Sequence, residues 1–169
     1  EFLRALPAAR AADVLEYLDE ELRSELLEAM STAQAVALVS EMTPDDRADI
    51  LEELEEETAD EILHDLPEAE RQETERLLQY EADTAGGLMT TEFVSVSQGL
   101  TSEEALNIVR IAARSGRKEA MHAIYVTDDR GSIVGVMSLR ELVAAPEHST
   151  VADMAWTEVV KVPATADRA

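Results

Sequence analysis

The residues best placed to do chemistry lie in the segment Thr43-Pro44-Asp45-Asp46-Arg47-Ala48-Asp49. With Thr43 as a helix N-cap, Asp45 and Asp49 stand four apart on one helix face, while Ile50, Leu51 and Leu54 turn toward a core. Two carboxylates projecting on one side suit a hydrated divalent cation, which can be held by one or two carboxylates plus retained waters, provided another surface closes the site. Acids in a first turn are equally well explained by the helix dipole, which favours negative charge there with no ligand at all. The longer run Glu52-Glu53, Glu55-Glu56-Glu57 and Asp60-Glu61 reads as a solvated face that attracts cations generally.

Nothing assembles an enzyme. There is no cysteine, and His64, His122 and His148 have no Ser or second His at catalytic or metal-site spacing. Gly86-Gly87 lacks the spacing of a phosphate loop and reads as a domain joint. Fourteen basic against 37 acidic residues give a net charge of −23, which excludes ordinary nucleic-acid binding because a polyphosphate would meet a like charge.

That charge is unevenly placed. Residues 1–84 hold 26 acids and 6 bases, so −20 of the −23 belongs to the first half, which contains no glycine. The half is a repeat: Leu6, Leu18, Met30, Met42, Leu54, Leu66 and Leu78 are spaced 12 apart. Apolar residues stand four before the five markers from Leu18 to Leu66 (Val14, Leu26, Leu38, Ile50, Ile62) and three before them (Leu15, Leu27, Val39, Leu51, Leu63), which puts the three columns on one helix face. Phe2 and Leu3 fit the same columns, which suggests that the chain begins inside the array. Seven before each marker, Ala11, Arg23, Ala35, Arg47, Ala59 and Arg71 alternate, so the unit is 24 residues with two non-equivalent short helices. Ser31-x-x-Gln34, Thr43-Pro44 and Pro67 mark helix starts. Thr74 and Glu75 break the apolar columns, as a terminal helix facing solvent or a neighbouring domain would.

The second half predicts β-α-β-β-α. Phe93–Val96, Ala123–Thr127 and Ile133–Ser138 read as strands, the last two joined by a hairpin turn at Asp128-Asp129-Arg130-Gly131. Thr101-x-x-Glu104 caps a helix ending near Ser115 and closed by Gly116, and Ser138-x-x-Glu141 caps a shorter one ending before Pro146. Val151–Met154 and Val159–Val162 read as the opening of a second such unit. Met89 and Met137 are expected in cores, in apolar company.

The junction Glu81-Ala82-Asp83-Thr84-Ala85-Gly86-Gly87-Leu88-Met89-Thr90, running into Phe93-Val94-Ser95-Val96, resembles the passage from the acidic N domain to the first CBS motif of MgtE-type magnesium transporters. Ile124-Tyr125-Val126 and Gly135-Val136-Met137-Ser138-Leu139-Arg140-Glu141-Leu142 are similar to the later part of that motif. The resemblance implies an all-α helical-repeat N domain over 1–84, a first CBS motif over 85–150 and a truncated second motif over 151–169. It also implies a homodimer through the CBS motifs, a transmembrane pore later in the same chain, a multi-pass protein of the cell inner membrane, and a cytoplasmic position for this region. In the family, Mg²⁺ held by acidic surfaces keeps the region compact and the pore closed. Asp45, Asp49 and Asp13 match its Mg²⁺-binding positions, and Arg140 and Glu141 match CBS positions that touch the ribose or phosphate of a nucleotide such as ATP. The chain departs from the family at Thr91, where proline is common, and at Ala155-Trp156, where Asn-Pro or Thr-Pro is usual. A protein-interaction scaffold and an adenine-nucleotide sensor are the competing readings.

Overall fold

The computed structural model describes residues 6–114 and 123–167; Phe2, Leu3, Ser115, Gly116 and His122 of the sequence reading lie outside them. The chain divides into two compact units, one formed by 1–91 with 162–169 and the other by 92–161.

In the first unit the helices are α1 (Ala8–Leu15), α2 (Glu20–Glu28), α3 (Thr32–Val39), α4 (Pro44–Glu53), α5 (Glu56–Asp65) and α6 (Glu68–Leu77), each starting 12 residues after the one before. Their N-caps keep the same step, at Pro7, Asp19, Ser31, Thr43, Glu55 and Pro67. Packing runs between alternate helices: α1 on α3 and α3 on α5, α2 on α4 and α4 on α6. This is the 24-residue unit expected from the Ala/Arg alternation. Ala11 and Ala35 let the odd helices approach closely and are buried, while the even helices carry arginines at the same place. Helices this short are marginal alone, so the shared core of Leu15, Leu27, Leu38, Val39, Ile50, Leu51 and Ile62 must hold them.

Of the two residues that break the apolar columns, Glu75 is exposed, as a solvent-facing helix would have it, and Thr74 departs from that reading. It does not face solvent, because its side chain is 0% exposed. The reason is Arg47, itself only 3% exposed, which needs polar partners inside the stack. Its guanidinium donates to the carbonyls of Val39 (3.1 Å), Met42 (2.9 Å) and Glu70 (3.2 Å) and to Thr74 Oγ1 (3.3 Å). Thr74 Oγ1 in turn donates to Glu70 O at 2.7 Å. The break in the apolar column therefore receives a buried charge.

Gly86-Gly87 lies inside this unit, where Ala85 N donates to Ala166 O (2.8 Å) and Gly86 N to Ala164 O (2.7 Å). A Cβ on Gly86 would sit 2.4 Å from the Tyr80 ring and 2.9 Å from Ala164 O, so the backbones approach only because the side chain is absent. Gly86→Ala is expected to cost about 1–3 kcal/mol by overpacking, read as a lower urea midpoint. Unchanged stability would show that the 164–166 segment moves aside freely.

The second unit carries β1 (Val94–Ser97), α7 (Ser102–Arg114), β2 (Ile124–Thr127), β3 (Ile133–Met137), α8 (Leu139–Ala144) and the single turn α9 (Val151–Met154). The sheet order is β1-β2-β3, with β1 parallel to β2 and β2 antiparallel to β3. The order β-α-β-β-α is as expected, and the hairpin is built by Asp128, whose Oδ1 accepts from Arg130 N (2.9 Å) and Ser132 N (2.8 Å), with Gly131 at φ 79°. Thr101 and Glu104 form the α7 cap, the Glu104 carboxylate accepting from Thr101 N at 2.9 Å. Val94, Val96, Ala105, Val109, Ile124, Val126, Met137 and Leu142 fill the core. Met137 is buried as expected, whereas Met89 is 39% exposed and is not a core residue. Residues 157–163, all described, hold no strand.

Candidate functional site

The acidic face of α4 is built by its own start signal. Pro44 occupies the first helical turn, and Thr43 Oγ1 donates to Asp46 Oδ2 at 2.7 Å, so Asp46 is folded back over the helix entrance. Asp45 is half-buried, and its Oδ1 is buried with no hydrogen-bond partner. A buried carboxylate oxygen without a donor is costly unless a cation or water satisfies it. Asp49 follows one turn on, with its surface exposed. Its carboxyl is nonetheless held above the usual range, first by partial loss of water, then by the charges of Asp46, Asp45 and Glu53, with Arg23 acting the other way. Glu52 is raised too, by desolvation and by Asp49. The structure thus brings Asp45 and Asp49 together electrostatically, as their spacing predicted, and places Asp13 on another element, half-buried in α1.

One residue of this face, Glu53, and its partner on α2 are not evident from the sequence. Glu53 was assigned to a solvated run, yet its side chain is 13% exposed because Arg23 of α2 grips it. Arg23 Nε donates to Glu53 Oε2 at 2.7 Å, and its Nη2 donates to Oε1. Asp45, Asp49 and Glu53 therefore form a stripe at four-residue steps. The step from Asp49 to Glu53 was available in the sequence; the partner, 30 residues away, was not. Among the described residues, no group of three or more His, Asp or Glu side chains is arranged to hold an ion by itself.

The second unit has a cleft of about 440 Å³ lined by Ala123, Val136, Met137, Glu141, Trp156 and Val159, among others. Trp156 is fixed at its main chain by paired hydrogen bonds with Val136 (2.8 and 2.9 Å), an approach that Gly135 permits, since a Cβ there would lie 2.9 Å from Ala155 Cβ. Its indole is 70% exposed. Glu141 is the third residue of the α8 capping box: its carboxylate accepts from Ser138 N (2.8 Å) and Ser138 Oγ (2.9 Å), and these bonds, with help from Trp156 and Arg140, hold it below the usual carboxylate range. Arg140 beside it is exposed. His64 is exposed next to Asp65, and His148 is exposed in the loop after α8.

An acidic stack of short helices packed two apart, followed by a β-α-β-β-α motif with one parallel and one antiparallel strand pair, is the architecture of a helical N domain with a CBS motif. Residues 1–83 match the family model described as the MgtE intracellular N domain, and 85–148 match the CBS domain model. The magnesium transporter MgtE of Thermus thermophilus is 38% identical over 169 residues, covering 98% of this chain and 37% of the relative. The magnesium transporter MgtE of Bacillus subtilis is 30% identical over 167 residues, again with 37% of the relative covered. The crystal structure of the cytosolic domain of the Mg²⁺ channel MgtE in complex with ATP superposes with a TM-score of 0.90 at 38% identity, over 98% of this chain and 67% of that one. The crystal structure of the soluble part of a magnesium transporter gives 0.88 at 30% identity, over 98% and 65%. The chain belongs to the MgtE family, and it spans little more than a third of the length of these full-length relatives.

Proposed function

We propose that this chain is the Mg²⁺-sensing regulatory region of an MgtE-type channel, in which Mg²⁺ held by acidic surfaces favours a compact state that closes the pore. The observation that carries the reading is the face of α4, where the partnerless buried oxygen of Asp45 lies one turn from an Asp49 carboxyl already crowded by like charge. The residues fit the ion: a half-buried Asp45 and an exposed Asp49 offer hard carboxylate oxygens to a cation that keeps most of its waters. Asp13 is proposed as a further ligand from an earlier repeat. Domains 1–84, 85–150 and 151–169 are proposed as the N domain, the first CBS motif and the opening of a second. The region is proposed to lie on the cytoplasmic side of a membrane, dimeric through its CBS motifs and joined to a pore in the same chain. Among the described residues, no helix is long and apolar enough to cross a membrane.

Magnitudes support a graded switch. Two carboxylates about 4 Å apart repel by roughly 4 kcal/mol at an effective dielectric near 20. Reversing a 1:99 equilibrium needs about 5.5 kcal/mol, and a site at tenfold its dissociation constant contributes about 1.4 kcal/mol. Roughly four weak sites acting together are then sufficient. Millimolar Mg²⁺ is expected to lower the radius of gyration in solution scattering, with Asp45→Asn, Asp49→Asn needing more Mg²⁺ for the same change. Superimposable titrations of variant and wild type would sink the assignment.

A second reading, an adenine-nucleotide site, is favoured by the cleft around Glu141 and by the ATP named for the solved relative. Glu141 would receive the ribose hydroxyls and Arg140 a phosphate. Trp156 is the only tryptophan in the chain, so its emission reports on the cleft. Millimolar ATP is expected to shift or quench it in wild type and less in Glu141→Gln; an unresponsive emission with no calorimetric heat dismisses the nucleotide.

A further inference from the structure

We propose that Arg23 sets the cation affinity of the α4 face by withholding Glu53 from it. The inference rests on the reading of Asp45 and Asp49 as Mg²⁺ ligands and adds a residue on a different helix that tunes them.

Glu53 continues the stripe of Asp45 and Asp49 by one more turn, so its backbone places it beside Asp49, within reach of an ion held there. Its carboxylate is held in a two-point grip by the Arg23 guanidinium, at 2.7 Å for the Nε bond, and both side chains are largely shielded, Arg23 at 16% and Glu53 at 13% exposure. A bidentate Arg–carboxylate pair is among the stronger and more directional charge-assisted contacts. It removes a third carboxylate from the face and sets a fixed positive charge beside Asp49, where Arg23 already opposes the acids that crowd that carboxyl. The repeat does not demand this arrangement. Arg47 occupies the equivalent place 24 residues later and directs its donors to the carbonyls of Val39, Met42 and Glu70 and to the Thr74 hydroxyl. Arg23 uses two of its donors on a side-chain carboxylate belonging to the acidic face. The result is a pair of ligands where the helix could present three, which suits an ion that is sensed when abundant and must leave when it is scarce.

The test is calorimetric titration of the whole 169-residue chain with MgCl₂, with folding checked by circular dichroism in EDTA. A unit charge about 6 Å from a divalent ion in a water-like dielectric changes affinity about tenfold. Arg23→Met is therefore expected to bind Mg²⁺ about tenfold more tightly, and Glu53→Gln, which leaves the cation uncompensated, more weakly than wild type. The double variant Arg23→Met, Glu53→Gln is expected to fall back near the wild-type value. Arg23→Lys, which keeps the charge and loses the fork, is expected to show a smaller gain and decides the matter if Arg23→Met does not fold. Equal or weaker binding by the folded arginine variants, or a gain that persists in the double variant, overturns the proposal. Asp45→Asn, Asp49→Asn separates the two levels: wild-type affinity in that variant defeats the site itself, whereas lost binding there with no gain in the arginine variants defeats only the role of Arg23.

Discussion

Arg47→Met is expected to lower the stability of the helical unit by about 3 kcal/mol, from losing charge-assisted hydrogen bonds worth about 1.5–3 kcal/mol each, partly offset by the apolar packing of the new side chain. The bonds to Val39 and Met42 satisfy carbonyls at the end of α3, and those to Glu70 and Thr74 reach α6, so one side chain ties three helices of the stack. Methionine fills much of the space and supplies none of the donors, leaving Val39 O with only its longer bond from Met42 N (3.2 Å) at the end of α3. At about 4–8 °C per kcal/mol for a domain of this size, the melting temperature falls by more than about 10 °C. Arg71→Met is the control, because Arg71 occupies the same repeat position. Its partners are the exposed Glu68 and Glu75, and surface pairs of this kind contribute about 0–1 kcal/mol. Equal losses in the two variants, measured by thermal and urea denaturation, would show that burial of the guanidinium is not what matters.

The same arginine shows where the reading of the sequence stopped. Periodicity of apolar residues is a local signal, and it located every helix of the stack, because burial at a 12-residue step leaves its mark in each block separately. The alternation of Ala and Arg was legible as a 24-residue period. What the arginines bond to was not, since Arg23 meets Glu53 30 residues away and Arg47 meets Thr74 27 residues away. Glu53, and Thr74 where its column suggests solvent, depart from the expectation for one reason: each carries the composition of an exposed residue and is covered by a partner from another block. In the second unit, the capping boxes at Thr101 and Ser138 and the Asp128 turn were legible because they close within three or four residues. The cleft was not, because Trp156 reaches Val136 by main-chain bonds that no side-chain pattern announces.

Electrostatics in the first unit follow from that division. Glu53 is gripped by Arg23, whose positive charge opposes the acids around Asp49, so the −20 of the first half overstates the force acting on a bound ion. Asp45, with its partnerless buried oxygen, and Asp49, crowded by the charges of Asp46, Asp45 and Glu53, are acids of α4 that a bound ion would relieve.

Asp49→Asn is accordingly expected to stabilise the protein when Mg²⁺ is absent and to reverse its rank when Mg²⁺ is present. The folded-state pKa of Asp49 lies above the ordinary 3.8, with desolvation first and the charges of Asp46, Asp45 and Glu53 next. A group raised in this way contributes its stability fully below the unfolded value and loses it as pH rises through the folded value. At neutral pH the ionised carboxylate is therefore a cost to the fold. Asp49 is exposed, so the cost is discounted for solvent screening to about 0.5 kcal/mol, in line with like-charge pairs four apart on a helix. The variant should melt about 2–4 °C above wild type in EDTA at pH 7, and the difference should close as pH falls below 3.8, where wild type is protonated. With Mg²⁺ at tenfold its dissociation constant, wild type gains about 1.4 kcal/mol per site and the variant does not, so the curves cross. A variant that melts below wild type in EDTA, or gains as much from Mg²⁺, would place Asp49 among the ordinary first-half acids of a helix and leave the ion to other residues.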